Sequence, residues 1–135
     1  MTTTRVAVVQ AAPVSFDLEK TLAKTHTLAT SARAQGAELV LFPEAFVSAY
    51  PRGASFGAVV GARTDAGRDL FRRYYESSVE IPSPACDTLS EIARDNGIYL
   101  VIGVIERDGG RSPPLTGALA RRYPSAMSLA RSYDP

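Results

Sequence analysis

The chain has 135 residues, of which 45% are apolar and 21% charged, a balance typical of a globular domain that excludes a disordered or fibrous protein. Its net charge of +1 gives no reason to propose nucleic acid or a membrane surface as a partner. The single cysteine, Cys86, excludes an internal disulfide and is typical of a reducing compartment. No apolar run has the length of a transmembrane helix, and MTTTRVAVVQ lacks the features of a signal peptide, so we expect a cytoplasmic protein.

The beginning of the chain predicts a strand and a helix. Arg5–Ala11 is short, β-branched and nearly continuously apolar, as in a central strand covered on both faces. Either Ser15 or Asp17 can then cap a helix that runs to about Gln35, with Gly36 as its stop. The apolar stripe of this helix consists of Leu18, Leu22, Ala29 and Ala32.

The middle of the chain predicts a second buried strand, a loop and a helix. Glu38–Phe42 is the strand, and it ends at Pro43, which cannot donate a hydrogen bond to a strand ladder. Residues 43–64 are rich in glycine, proline and aromatic side chains and predict a long ordered loop. A helix follows from Asp65 to about Ser78. Its inward side is expected to carry Leu70, Phe71 and Tyr74.

A further helix and strand are predicted beyond residue 80. Ser83 is a capping residue followed by Pro84 at the first helical position, and the helix ends at Asn96-Gly97. Ile98–Ile105 is a third buried strand. The order β-α-β-loop-α-α-β predicts an α/β domain with a largely parallel sheet. The buried side of the last helix is expected to carry Leu89, Ile92 and Ala93.

Glu44 stands where the second strand meets the loop. Ligands gather beyond the carboxyl ends of strands in open α/β sheets, so a carboxylate there is well placed for chemistry. Desolvation by Phe42, Phe46 and Tyr50 would favour its protonated form, which suits a general base near neutral pH. The residues leave open a second interpretation, a strand-end glutamate in a salt bridge or capping a helix.

Two other reactive side chains favour structural roles. Cys86 lies near a helix N-terminus, which can activate a thiol, but it lies three residues before Leu89 on the inward side, so we expect an inert buried thiol. His26 lies on the flank of the first helix without the convergent ligands of a metal site, and we interpret it as a surface residue. No glycine-rich phosphate-binding motif follows the first strand, which argues against an independent nucleotide-binding module.

Three segments carry a family resemblance. GAELVLFPEAFVSAYP, residues 36–51, resembles the first signature of the nitrilase branch of the carbon–nitrogen hydrolase superfamily, with Ala49 where that branch more often has glycine. AVVQAAPV resembles the opening strand of the family, and GRDLFRRYYESSVEIPSPACDTLSEIARDNGIYLVIGVIERDGG resembles the region after the base. The resemblance covers Arg5 to Gly110, and YPRG and GRDLFRRYYESS favour nitrilases proper over the amidase branches.

The resemblance implies a fold and a reaction. The fold is a four-layer αββα sandwich, of which this chain would hold an incomplete N-terminal part. The reaction converts a nitrile to a carboxylic acid and ammonia through a glutamate, a lysine and a cysteine, with no cofactor or metal. Glu44 matches the glutamate base, and Tyr50 and Arg52 would contact a small nitrile or amide substrate. A homo-oligomer is typical of the family, and whether this portion assembles is left open.

The other two catalytic residues of the family have no match. Lys20 and Lys24 are the only lysines and lie on the first predicted helix, whereas the family's lysine follows the third strand and its cysteine lies beyond residue 135. We therefore expect the chain alone to be inactive. An amidase or carbamoylase relative and a non-catalytic module that docks on partner subunits are the alternatives.

The last residues differ from the rest. Residues 111–135 lack strand or helix periodicity, and no fourth strand is indicated after the turn that ends at Gly110. One allowed back-translation of Leu119–Pro124, CTC GCC CGA CGG TAC CCT, gives Ser-Pro-Asp-Gly-Thr when read one base later, and the family has a similar turn there. We therefore divide the chain into a family portion, 1–110, and a poorly ordered tail, 111–135, with an out-of-frame origin as our hypothesis.

Overall fold

A computed structural model describes residues 3–49 and 64–107, and the backbone of residues 115–122 and 126–131. Three helices and five strands lie in these ranges. In chain order they are β1 Val6–Val8, α1 Leu18–Ala34, β2 Leu39–Leu41, α2 Asp65–Glu76, α3 Pro84–Asn96, β3 Tyr99–Glu106, β4 Leu115–Arg122 and β5 Ala126–Arg131. None of the described helices is long and apolar enough to cross a membrane.

The strands form one sheet in the order β1-β2-β3-β4-β5. β1, β2 and β3 are parallel, with Val6 beside Leu39 and Leu39 beside Tyr99. β4 is antiparallel to β3, and β5 is antiparallel to β4. The predicted α/β class with a parallel sheet is confirmed, because α1 connects β1 to β2 and the segment with α2 and α3 connects β2 to β3.

β4 corrects one expectation. The sequence indicated no fourth strand, yet Leu115 to Arg121 of β4 pair with Glu106 to Leu100 of β3. Strand pairing is made by backbone N–H and C=O groups, so a segment with weak apolar alternation can extend a sheet beside a long, strongly β-forming neighbour. The boundary at residue 110 and the origin of the tail stay predictions.

The core lies between the sheet and two helices. α1 and α3 cover the face formed by Val40, Leu100, Ile102 and Val104, all at most 2% exposed. The predicted inward residues of α3, Leu89, Ile92 and Ala93, are buried, and so are Ala29 and Ala32 of α1. Two threonines that the apolar stripe did not include are also buried, Thr21 and Thr25. Thr25 satisfies its hydroxyl by donating to the carbonyl of Thr21 at 2.8 Å.

The helix ends follow the sequence closely. Asp17, rather than Ser15, caps α1, because its Oδ1 accepts a hydrogen bond from the backbone N–H of Lys20 at 2.9 Å. α3 begins at Pro84 and ends at Gly97, whose φ of 58° lies in the left-handed region that favours glycine. These ends fix the lengths of the two helices that cover the core.

The opposite face of the first three strands carries four large apolar side chains that are each more than a third exposed. Val6, Val8, Leu41 and Tyr99 are 52%, 66%, 38% and 40% exposed, and we call these four residues the open face. β1 is an edge strand of the described sheet, so the expectation of a central strand covered on both faces is wrong for this chain. A continuously apolar strand needs cover on both sides, but its sequence does not tell which part of a protein supplies the cover.

α2 packs at the far end of the same face. Tyr74 is buried with Ala45 and Ile105, and its ring meets that of Phe16 edge-on at 5.7 Å. Phe71, predicted to point inward, is 42% exposed. Tyr74 thus brings α2 into contact with the sheet, and the open face stays uncovered by the described residues.

Candidate active site

Glu44 is the first of a few extra residues that interrupt the pairing of the chain after β2 with β3. Leu39 pairs with Tyr99, an offset of 60 residues, whereas Val47 bridges to Val104, an offset of 57. Residues 44–46 are therefore three extra residues that the parallel ladder loops out, and we call them the Glu44 bulge. Bulges of this kind redirect side chains and are common beside active sites.

Both ends of the Glu44 bulge are attached to β3. The N–H of Gly103 donates to the carbonyl of Pro43 at 3.2 Å, before the bulge. The N–H of Val47 donates to the carbonyl of Gly103 at 3.0 Å, after the bulge. The ladder then resumes, because the N–H of Ile105 donates to the carbonyl of Val47. The bulge is thus a short, hydrogen-bonded turn that begins and ends on Gly103.

The bulge lies directly over Gly103. A Cβ atom added there would lie 2.7 Å from the Cα of Glu44 and 2.7 Å from the carbonyl oxygen of Pro43, and closer still to the amide nitrogen of Ala45. Side chains alternate along a strand, and the neighbours Ile102 and Val104 point to the helices. The bulge, and Glu44 with it, is therefore on the side of the sheet that carries the open face.

The phenylalanines beside Glu44 anchor the turn. Phe42 and Phe46 are 3% and 0% exposed, their ring centroids are 5.1 Å apart, and both belong to the core under α1 and α3. Glu44 between them is exposed, so the desolvation that we expected from these rings is not found among the described residues. Tyr50 and Arg52 lie outside the described residues.

Glu44 has no structural partner within the described part of the chain. Its carboxylate takes part in no ion pair or side-chain hydrogen bond there, whereas other carboxylates do, such as Asp17 with Lys20 at 2.8 Å and Glu76 with Arg72 at 2.9 Å. The second interpretation from the sequence, a salt bridge or a helix cap, is therefore not found in this region.

Cys86 and both lysines lie on the other side of the sheet from Glu44. Cys86 is 3% exposed in the core under α3, where its thiol lies 3.7 Å from the hydroxyl oxygen of Ser83. Lys20 and Lys24 are on α1, which covers the same face as α3. The hydrogen bond between its ammonium group and the Asp17 carboxylate raises the pKa of Lys20 above its ordinary value, so this lysine is engaged at the start of α1. None of the three can exchange a proton directly with Glu44.

The remaining candidates do not form a site either. His26 is exposed on α1, as predicted. A groove of about 460 Å³ runs between β1 and α1, and another of about 400 Å³ lies between α1 and α3. Glu44 lines neither groove. Within residues 3–49 and 64–107, no three His, Cys, Asp or Glu side chains converge as metal ligands would.

Gly103 is the residue of this site that sequence reasoning missed. Its signal is a lone glycine inside the apolar strand segment YLVIGVIE. Glycine weakens a strand interior and often marks a place where another backbone approaches closely. Here the approaching backbone is the Glu44 bulge, which presents one exposed carboxylate that can accept and return a proton.

Comparisons with known proteins agree with the resemblance. The aliphatic nitrilase of Sinorhizobium fredii is 49% identical over 110 residues, which cover 82% of this chain and 36% of that protein. The bifunctional nitrilase/nitrile hydratase of Lupinus angustifolius is 46% identical over 108 residues, 80% of this chain and 31% of that protein. The chain thus spans about a third of the length of the curated relatives it matches.

Solved structures show the same fold. The amidase of Nesterenkonia sp. is 23% identical, with a TM-score of 0.63 over 98% of this chain and 44% of that chain. The sequence model of the family described as carbon-nitrogen hydrolase matches residues 5–131. With this match and the identity to nitrilases, the chain belongs to the nitrilase branch of the carbon–nitrogen hydrolase family.

Proposed function

We propose that this chain is the N-terminal part of a nitrilase in which Glu44 is the general base. The observation that carries the proposal is the Glu44 bulge, which sets one exposed carboxylate on the open face at the carboxyl end of β2. It does so in a chain 45–49% identical to several nitrilases. The complete protein would act on a small nitrile.

The proposed chemistry uses Glu44 twice. Its carboxylate first takes the proton of a cysteine thiol, and the thiolate adds to the nitrile carbon while the glutamate returns that proton to the nitrile nitrogen, which gives a thioimidate. It then deprotonates water, which attacks the same carbon, and ammonia leaves with the proton that the glutamate returns. A second water releases the carboxylic acid from the acyl enzyme, so one nitrile and two waters give one acid and one ammonia.

The cysteine and lysine of this scheme would come from outside the chain. One form of the Nesterenkonia amidase carries the acetamide moiety of fluoroacetamide covalently at its active site cysteine, which supports a cysteine nucleophile on this fold. The sheet separates Cys86 from Glu44, so Cys86 cannot take the place of that nucleophilic cysteine. We therefore propose that the chain alone does not hydrolyse nitriles or amides. Tyr50 and Arg52 are proposed as substrate contacts of the complete protein.

The test uses a full-length relative such as the Sinorhizobium fredii nitrilase. We expect Gln at the position matching Glu44 to lower kcat by roughly 10²- to 10⁴-fold, the usual contribution of a general base, with the fold unchanged in circular dichroism. Gln at the position matching Glu38, an exposed glutamate just before β2, is the control and should keep full activity. Activity that survives the change at Glu44 would refute the proposal.

The same assay separates nitrilase from amidase chemistry. Nitriles and the corresponding amides are offered to the relative, with ammonia, acid and amide measured as products. Hydrolysis of amides but not nitriles would favour the amidase or carbamoylase alternative. Size-exclusion chromatography of this chain with the full-length relative tests the third alternative, a non-catalytic docking module, which requires a stable complex.

The origin of the tail is a separate proposal. The back-translation of residues 119–124 favours an out-of-frame segment after Gly110, whereas the family match through residue 131 favours native sequence. The nucleotide sequence decides between them. An uninterrupted family-like frame beyond the Gly110 codon must occur in one of the other two phases, and its absence would refute the out-of-frame origin.

A further inference from the structure

We propose that Gly103 is a positioning residue for Glu44, because its missing side chain lets the Glu44 bulge lie against β3 and so sets the place of the carboxylate above the sheet. The inference rests on the proposed function of Glu44. Gly103 belongs to a different strand, 59 positions after Glu44 in the chain (103 minus 44), and itself touches no substrate.

The contact between Gly103 and the bulge leaves no room for a methyl group. The atoms that a Cβ would meet belong to the backbone of Pro43, Glu44 and Ala45, not to the ends of long side chains that could turn away. Ordinary van der Waals contact begins at 3.4 Å, whereas the Glu44 Cα would lie at 2.7 Å. Alanine at position 103 must therefore move the bulge by at least about 0.7 Å at the Glu44 Cα, the difference between these two distances, and by more at the amide nitrogen of Ala45, which would lie closer still.

The displacement cannot spread evenly over the turn. Phe46 and Val47, after Glu44, are completely buried, and Val47 is held to β3 by backbone hydrogen bonds. Ala45 has a φ of 48°, a left-handed conformation that side-chain-bearing residues rarely adopt, so it has little freedom to adjust. Glu44 is the exposed residue of the bulge and has the most room to move. We expect most of the shift there.

A shift of this size matters for proton transfer. A general base must lie within hydrogen-bond reach of the proton it takes, and a misplacement of about 1 Å can lower a rate by roughly 10²-fold. The chain offers a matched control in Gly97, where φ is 58° and an added Cβ would meet nothing within 4 Å. Alanine at Gly97 strains the end of α3 without touching the bulge.

The experiment places alanine at the positions matching Gly103 and Gly97 in a full-length nitrilase relative that carries glycine at both. We expect the first variant to lose about tenfold to hundredfold in kcat with little change in KM. The second should melt at a lower temperature and keep its kcat. If Gly103 had only a structural role, its replacement by alanine would lower the melting temperature in the same way and leave the kcat of the folded enzyme unchanged.

Each outcome can be interpreted. Unchanged kcat in folded Gly103→Ala, with Glu44→Gln inactive, would overturn the inference and leave the proposed function standing. Activity in Glu44→Gln would instead overturn the proposed function. If Gly103→Ala does not fold, the double variant Gly103→Ala with Ala45→Gly is measured instead, because glycine at position 45 gives the bulge room to move. We expect the double variant to fold and to keep a lowered kcat. A wild-type kcat in the double variant would overturn the inference.

Discussion

Two valines on opposite faces of the sheet allow a direct test of where the core lies. Val104 in β3 is 0% exposed beneath the helices, whereas Val8 in β1 is 66% exposed on the open face. Alanine removes two carbon atoms in both cases. At Val104 this costs about 1.6 kcal/mol of transfer free energy and about 2–3 kcal/mol with the cavity that remains. At Val8 only a third of the side chain is buried, so we expect about 0.5 kcal/mol.

The difference of roughly 2 kcal/mol corresponds to about a 30-fold change in the folded-to-unfolded ratio. We would measure it on the purified chain by pulse proteolysis in urea at low protein concentration, because the open face is expected to promote aggregation. The same two changes in a full-length relative should cost similar amounts if another part of that protein covers the open face. Equal costs in the isolated chain would refute the assignment of the two faces.

Three further predictions concern the described residues. Lysine at Val8 and Leu41 should raise the soluble yield of the chain, measured by sedimentation, because both changes add charge to the open face. The thiol of Cys86 should react slowly with a thiol reagent in the folded chain and quickly in urea, whereas fast reaction without urea would show an accessible site. The hydrogen bond from Lys20 holds the pKa of Asp17 below its ordinary value of about 3.9. The folded state therefore keeps this contribution above about pH 4 and loses it as the pH falls below that value, so Asp17→Asn should weaken the acid dependence of helical content.

Local signals in the sequence were sufficient to predict where the helices α1 and α3 begin and end. Asp17 caps α1, and Pro84 and Gly97 bound α3, because capping and left-handed ends depend on a few neighbouring residues. The three parallel strands were found for a similar reason, since each is a short apolar run between breaking residues. The position of Glu44 at the end of β2 followed from Pro43 alone.

The remaining features depend on residues far apart in the chain. The length of the Glu44 bulge is set by the registers of β2 and β3, and its closeness to the sheet by Gly103. Phe42 and Phe46 were expected beside the carboxylate, because residues two apart on a regular strand share a face. The Glu44 bulge interrupts this alternation, so the rings entered the core and the carboxylate did not. β4 was missed because backbone pairing leaves little trace in side-chain pattern.

The open face has a consequence for how catalysis and folding are related in the complete enzyme. Leu41, on this face, lies three residues before Glu44, so a part of the complete protein that packed against the open face would also remove water from around the carboxylate. Closing the core and shielding the base from bulk water would then be a single event. Heat inactivation and loss of tertiary structure should follow one curve, and a partly opened enzyme would have no residual turnover.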